Sequence, residues 1–159
     1  FKQKTFYYKL NLQHPLLNWY GTKCCKKKYL KNMTWLRSIK NKKYNIFRFD
    51  VLFSDLKFMN LNIINNGGWH FTNLKTPDDL LKKYQNDEMH SEFKLRKMGL
   101  NDIKRLVKEQ VVNYNHFIDS SKSNQEKHSK EFQLQKININ LLPEYIIQNS
   151  SKFKQWIIE

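Results

Sequence analysis

Two histidines and a glutamate near the middle of the sequence have the clearest capacity for chemistry. His70 follows Trp69 directly, and His90 lies two residues before Glu92. Imidazole titrates near neutral pH and binds metals, and a carboxylate can act as a base. Trp69 adds a flat apolar surface of the kind that packs on a sugar ring. We interpret this stretch as part of an active site in which His70, His90 and Glu92 share one cleft.

A glycine pair and a short helix must position these side chains. Gly67 and Gly68 can adopt positive φ angles or let a ligand approach the backbone closely. Residues 61–64 predict a strand that runs into this loop. The helix after the loop, predicted to end near Asn86, has an N-cap, a first-turn proline and two first-turn acids, which are Thr76, Pro77, Asp78 and Asp79.

The rest of the chain predicts an alternation of strands and helices. One strand is expected over residues 5–12, closed by His14 and Pro15, and another over residues 44–52, with Arg48 and Asp50 on one face. Two helical segments follow from apolar spacing, at residues 26–37 and from Asn101 or Asp102 to Tyr114. The C-terminal part predicts an exposed polar loop, a strand, a short helix and an amphipathic segment, at residues 120–130, 135–141, 143–147 and 152–158.

Length and charge indicate one basic domain. The 159 residues carry a net charge of +15, with 14 Lys and Arg against two acids in residues 1–60. This N-terminal excess could attract nucleic acid, an anionic membrane or a phosphate-bearing substrate, and a solvated lysine surface explains it as well. No segment is long and apolar enough for a membrane helix. Cys24 and Cys25 are the only cysteines and indicate a reducing compartment.

Four sequence motifs occur in order: FYYKLNL at residues 6–12, WYGTK at 19–23, GGWHFTNL at 67–74 and HSEF at 90–93. A fifth, LLPEYI, follows at 141–146. Over most of residues 5–118 the chain resembles the C-terminal part of glycosyltransferase family 17. This is the family of the β-1,4-mannosyl-glycoprotein β-1,4-N-acetylglucosaminyltransferases and their microbial relatives.

The resemblance implies an inverting transferase that moves N-acetylglucosamine, or a related sugar, from a UDP-sugar to a glycan hydroxyl. It implies an α/β fold of the GT-A nucleotide-sugar type, with a mixed sheet and flanking helices. In such enzymes a divalent cation, here expected to be Mn²⁺, is held by an acidic motif upstream. This chain has no Asp-x-Asp pair, and Asp78 and Asp79 fit a helix start better. We therefore expect a fragment that lacks part of its donor site and can be inactive alone.

Site roles follow from the same resemblance. Glu92 or His90 would be the catalytic base, and His70 would be a metal ligand or a phosphate contact. The alternative for each of these residues is a structural role. The predicted substrate-binding residues are Trp69, Gly67, Gly68, Arg48, Asp50 and Lys23, with a simple ion pair as the alternative for Arg48 and Asp50. The expected partners are a nucleotide sugar and a glycan acceptor, without nucleic acid or a transmembrane segment.

Alternative functions are a basic nucleic-acid-binding module and an inactive carbohydrate-binding fragment. The expected localisation is cytoplasmic for a microbial or viral form and the Golgi membrane for a eukaryotic family member.

Overall fold

The computed structural model describes residues 1–42, 44–45, 47–57, 59–86, 98–118 and 122–159. They group into two compact units. Phe1–Gln3 and Asn18–Gly68 form the first, which we call the basic unit, and Lys4–Leu17 and Trp69–Glu159 form the second, the sheet unit. The prediction of one transferase domain over residues 1–159 stays a prediction.

The elements alternate between strands and helices along the chain. In order they are β1 (Gln3–Tyr7), β2 (Leu12–Trp19), α1 (Met33–Ser38), α2 (Phe49–Leu52), β3 (Trp69–Thr72), α3 (Pro77–Asn86), α4 (Leu100–Glu109), β4 (Val111–Val112), α5 (Asn124–Lys127), β5 (Phe132–Gln133), β6 (Gln135–Lys136) and α6 (Glu144–Gln148), with 3₁₀ turns at Lys27–Tyr29, Ile139–Leu141 and Ser150–Trp156.

A four-stranded mixed sheet organises the sheet unit, in the order β3-β1-β2-β6. β1 and β3 pair in parallel, from Lys4 opposite Trp69 to Tyr7 opposite Thr72. β2 and β6 pair antiparallel, and β4 and β5 form a separate antiparallel pair. The predicted α/β class, with a mixed sheet and flanking helices, is therefore confirmed.

The two faces of this sheet bury different apolar clusters, because successive strand residues point to opposite sides. Tyr7 joins a cluster on one face, which also contains Tyr8, Leu12, Leu80, Ile103, Val112 and Leu134. Phe6 joins a cluster on the other face with Leu10, Leu142 and Ile146. The C-terminal segment packs on that second cluster through Phe153, Trp156 and Ile157, as its amphipathic pattern predicts.

The start of α3 was predictable from local signals alone. The Thr76 hydroxyl accepts a hydrogen bond from the Asp79 amide at 3.2 Å, and Pro77 is the first helical residue. An N-cap hydroxyl satisfies one of the amides that a helix start leaves unpaired. Leu80 in the next turn is fully buried, which attaches the helix to the core.

The predicted strand over residues 44–52 is wrong, because Phe49–Leu52 forms the short helix α2. The Asn45 carbonyl and side chain accept hydrogen bonds from the amides of Arg48 and Phe47, which turns the chain before a strand can extend. Residues 61–64 also form no strand, although the Ile64 carbonyl accepts a hydrogen bond from the Lys2 amide at 2.9 Å. Strand propensity without a full pairing partner does not produce a strand.

Two predicted boundaries near the sheet are also wrong. His14 and Pro15 lie inside β2 rather than closing a strand, and the chain turns earlier, at Tyr8, whose φ is 62°. The long helix starts at Leu100, after Gly99, and ends at Glu109 rather than continuing to Tyr114. Gln110 takes a φ of 57°, and its carbonyl accepts a hydrogen bond at 2.8 Å from the amide of Leu134, which directly follows β5. The chain then leaves the helix and enters β4, which pairs with β5.

The C-terminal predictions were partly correct. β6 covers only Gln135–Lys136 of the strand predicted over residues 135–141, and a 3₁₀ turn follows at Ile139–Leu141. The predicted polar loop at 120–130 contains α5, where Ser123 and Glu126 cap each other. Residues 120 and 121 of this region lie outside the described residues. The short helix predicted over residues 143–147 is present as α6.

Candidate active site

His70 lies on the sheet face that carries Tyr7. The parallel register sets His70 opposite Thr5, and Thr72 opposite Tyr7, so these four side chains leave the same face. Thr5 is buried, and its hydroxyl has no hydrogen-bond partner among the described residues. One polar row therefore crosses two parallel strands that are distant in sequence.

His14 extends this row onto β2. Its ring centre lies 6.3 Å from that of Tyr7, and the side chain is buried against Phe132 and Phe117. The His14 Nδ1 atom accepts hydrogen bonds from the amides of Leu16 and Leu17, at 3.3 and 3.1 Å. A neutral imidazole with an accepting Nδ1 carries its proton on Nε2. That Nε2 is buried and has no partner within the described part of the chain.

His116 covers the same face from the segment after β4. The Tyr7 hydroxyl and the His116 Nε2 atom are 2.6 Å apart. The ring centre of Tyr114 lies 4.7 Å from that of His116 and 5.3 Å from that of His128. We call Tyr7, His14, His70, Tyr114 and His116 the histidine cluster.

The histidine cluster favours neutral imidazoles. Burial lowers the pKa of His70 and of His14 below the ordinary value. Partial desolvation, followed by the nearby imidazoles of His14 and His70, lowers the pKa of His116. Burial also raises the pKa of Tyr7, so its hydroxyl stays protonated. The cluster therefore presents uncharged imidazoles and the protonated Tyr7 hydroxyl, which can exchange hydrogen bonds with an anionic ligand but do not neutralise its charge.

Both parallel strands end beside this cluster with a left-handed residue. Tyr8 follows β1 with a φ of 62°, and Asn73 follows β3 with a φ of 53°. The side-chain amide of Asn73 donates a hydrogen bond from Nδ2 to the Tyr84 hydroxyl at 3.0 Å, and its Oδ1 accepts one from Lys83 Nζ at 2.9 Å. Ligands of α/β sheets bind beyond the carboxyl ends of parallel strands. Lys83 adds a cation at this edge, which the sequence analysis missed.

Trp69 points away from the histidine cluster. Because it precedes His70 in β3, its side chain leaves the opposite face of the sheet. Its indole Nε1 donates a hydrogen bond to the Leu141 carbonyl at 2.9 Å, and 39% of the residue is exposed. A ligand confined to one face cannot contact both Trp69 and His70.

Five other predicted site residues belong to the basic unit. Arg48 and Asp50 form an exposed bidentate ion pair at 2.6 and 2.7 Å, rather than sharing a strand face. Lys23 Nζ donates a hydrogen bond to the Arg37 carbonyl at 2.6 Å. Gly68 has a φ of 123°, the conformation that the sequence predicted for this loop, and the Gly67 amide donates to the Lys2 carbonyl.

His90 and Glu92, the predicted catalytic residues, lie outside the described residues. The structure instead draws attention to Tyr7, His14 and His116, none of which was predicted to belong to the site. The alternation of side chains along a strand predicts that Tyr7 and Thr5 lie on the same face of β1. No sequence signal linked them to residue 116, because that contact spans 109 positions.

No family model, curated protein or solved structure matches the chain. Within the described residues, no group of three or more His, Cys, Asp or Glu side chains could hold a metal ion. No helix in that part of the chain is long and apolar enough to cross a membrane.

Stability should fall as the pH drops below about 6.5, the value at which unfolded histidines take up protons. His14, His70 and His116 have lowered pKa values in the fold, so the unfolded chain binds more protons in this range. Linkage then makes the free energy of unfolding decrease with falling pH. Thermal denaturation from about pH 7.5 to about pH 5 should show a declining Tm. This range lies above that in which ordinary carboxylates protonate.

The variant His116→Asn tests the origin of this decline. It removes one titrating group and keeps a polar side chain opposite Tyr7, so its Tm should depend less steeply on pH. An unchanged slope would show that His116 does not contribute.

Proposed function

We propose that this chain is part of an inverting glycosyltransferase with a GT-A-like fold, which moves N-acetylglucosamine or a related sugar from UDP to a glycan hydroxyl. The hydrogen bond from Trp69 to Leu141 carries the proposal. This bond joins the GGWHFTNL segment to the LLPEYI segment. The pairing of β1 with β3 joins the GGWHFTNL segment to the FYYKLNL segment. Three segments that carry the family resemblance thus contact one another, although up to 135 positions separate them.

Trp69 and His70 receive different parts of the substrate, because they leave opposite faces of β3. The indole of Trp69 is fixed by its hydrogen bond to Leu141 and remains partly exposed, which suits stacking on a sugar ring. His70 contributes a neutral imidazole on the sheet face of Tyr7, level with Thr5 in β1, where it hydrogen-bonds the UDP diphosphate in this proposal. Lys83 supplies positive charge beyond the carboxyl end of β3, where its Nζ donates to Asn73.

The proton on the acceptor hydroxyl requires a base. Glu92 or His90 is the proposed base, and a carboxylate suits this role because its charge also favours a positively charged sugar centre. The described residues do not form a manganese site by themselves. His70 therefore acts on the diphosphate directly in this proposal, and the ion's ligands are not assigned.

The proposal is tested by following UDP release from UDP-N-acetylglucosamine, with manganese and with a chelator, alongside calorimetric titration of the same donor. We expect saturable donor binding and slow UDP release. Absence of both, for this donor and for other nucleotide sugars, would overturn the proposal.

Replacing Trp69 separates stacking from positioning. Trp69→Ala should raise the KM for sugar substrates about fivefold, because an aromatic contact contributes roughly 1 kcal/mol. Trp69→Phe keeps an aromatic face and loses the hydrogen bond to Leu141. A KM for Trp69→Phe near the original value indicates stacking, whereas equal losses in both variants would contradict it. An exposed aromatic of the same unit, Tyr145, provides the control Tyr145→Ala.

A further inference from the structure

A short segment of the basic unit exposes an unusual amount of apolar surface. Phe47 is 78% exposed and Phe53 is 91% exposed, and Phe49 and Leu52 between them are also exposed. Of the four residues of helix α2, only Val51 is buried, and the side chains of the other three are exposed. We call residues 47–53 the phenylalanine segment. Contiguous exposed apolar side chains usually mark a binding surface.

Cations surround the aromatic residue that precedes this segment. Lys42 Nζ, Arg48 Cζ and Lys57 Nζ lie 5.9, 6.0 and 5.9 Å from the centre of the Tyr44 ring. Asp50 pairs with Arg48 at 2.6 Å and with Lys57 at 3.4 Å, which leaves positive charge in excess. The partner of this surface must therefore be both negatively charged and able to take up apolar side chains.

We propose that the phenylalanine segment docks on an anionic phospholipid surface. Phenylalanine and leucine side chains insert at the boundary of headgroups and acyl chains, while lysines bind the headgroups from above. The whole unit fits this partner, with 12 Lys and Arg against two acids. It also exposes Met33, Ile63 and Ile64.

Single-stranded nucleic acid is the competing anionic partner, and the apolar side chains decide against it. Bases stack on aromatic rings, often with arginine alongside. Leu52, Met33 and the two isoleucines have no aromatic face, and ten of the 12 cations of the unit are lysines. This proposal does not depend on the proposed transferase activity, since it uses residues of the basic unit only.

Vesicle co-sedimentation of the complete chain tests the proposal. We expect binding to phosphatidylcholine vesicles that contain phosphatidylserine, little binding to pure phosphatidylcholine, and weaker binding as salt screens the charges. Lys42→Ala with Lys57→Ala should weaken binding by roughly 25-fold, from about fivefold per lysine. Phe47→Ser with Phe53→Ser should weaken it at least tenfold.

Matched controls come from exposed residues of the sheet unit. Lys104→Ala with Lys108→Ala removes two exposed lysines of α4, and Leu16→Ser removes one exposed apolar side chain. Both should bind vesicles like the original chain. The changed residues of the phenylalanine segment are exposed, so circular dichroism and Tm should stay constant.

Four results would overturn the proposal. The first is no binding to phosphatidylserine vesicles at low salt. The second is a loss of vesicle binding that is equal in the two test variants and in the two control variants. The third is a single-stranded oligonucleotide that binds more tightly than vesicles and loses affinity in Lys42→Ala with Lys57→Ala, which would assign the surface to nucleic acid. The fourth is full vesicle binding by Phe47→Ser with Phe53→Ser, which would show that the phenylalanine segment does not insert.

Discussion

Replacing Phe6 with alanine should lower the free energy of unfolding of the sheet unit by about 3–5 kcal/mol. Phe6 is fully buried in β1, and its ring centre lies 5.2 Å from that of Phe71 on the neighbouring strand. Leu10, Leu142 and Ile146 complete its surroundings. The alanine variant loses the transfer energy of the ring and leaves a cavity between the sheet and the C-terminal segment. Urea denaturation followed by circular dichroism measures the change.

The matched control is Phe53→Ala, the same substitution at a residue that is 91% exposed. It should change the free energy of unfolding by no more than about 0.5 kcal/mol. Equal losses in both variants would contradict the core assigned to Phe6. A loss below about 1 kcal/mol for Phe6→Ala would do the same, since even a site that collapses without a cavity loses the transfer energy of a buried ring.

Replacing His70 with alanine should lower kcat/KM for UDP-N-acetylglucosamine by about 100-fold or more, if the proposed function holds. Hydrogen-bond donors aimed at developing negative charge contribute about 10²–10³ in rate. The neutral His70 imidazole lies on the sheet face of Tyr7, at the level of Thr5 in β1. Steady-state kinetics of UDP release gives the ratio, and thermal denaturation shows whether the variant still folds.

Two further variants distinguish a direct role from a structural one. His70→Asn keeps a polar side chain of similar size and should restore part of the activity. His128→Ala removes a histidine that contacts Tyr114 from outside β3, and it should leave kcat/KM near the original value. Unchanged kinetics in a folded His70→Ala variant would remove His70 from the site, whereas donor binding without any His70 effect would leave the transferase proposal standing.

Local features were predictable because neighbouring residues determine them. Thr76, Pro77 and Asp79 are enough to start α3, since an N-cap needs only the amides two and three positions away. The exposed Lys surface of the basic unit follows from composition. The Arg48 to Asp50 ion pair was also foreseen as an alternative, although the backbone between them is helical rather than extended.

The sites that were missed depend on contacts between distant parts of the chain. α4 ends at Glu109 because the Gln110 carbonyl meets Leu134, and the helical spacing beyond it carried no sign of that partner. His14 and His116 seemed unrelated in sequence. They contribute to one cluster because Tyr7 of β1 contacts both.

By itself, the sequence determined the α/β class, the start of α3, the apolar C-terminal segment and the concentration of positive charge near the N-terminus. Each depends on composition or on residues within about one helical turn. Tertiary structure alone decided that His70 shares a face with Tyr7 and that Trp69 leaves the other face. The parallel register of β1 and β3 sets both, and that register joins residues 65 positions apart whose pairing is stabilised by the burial of both sheet faces.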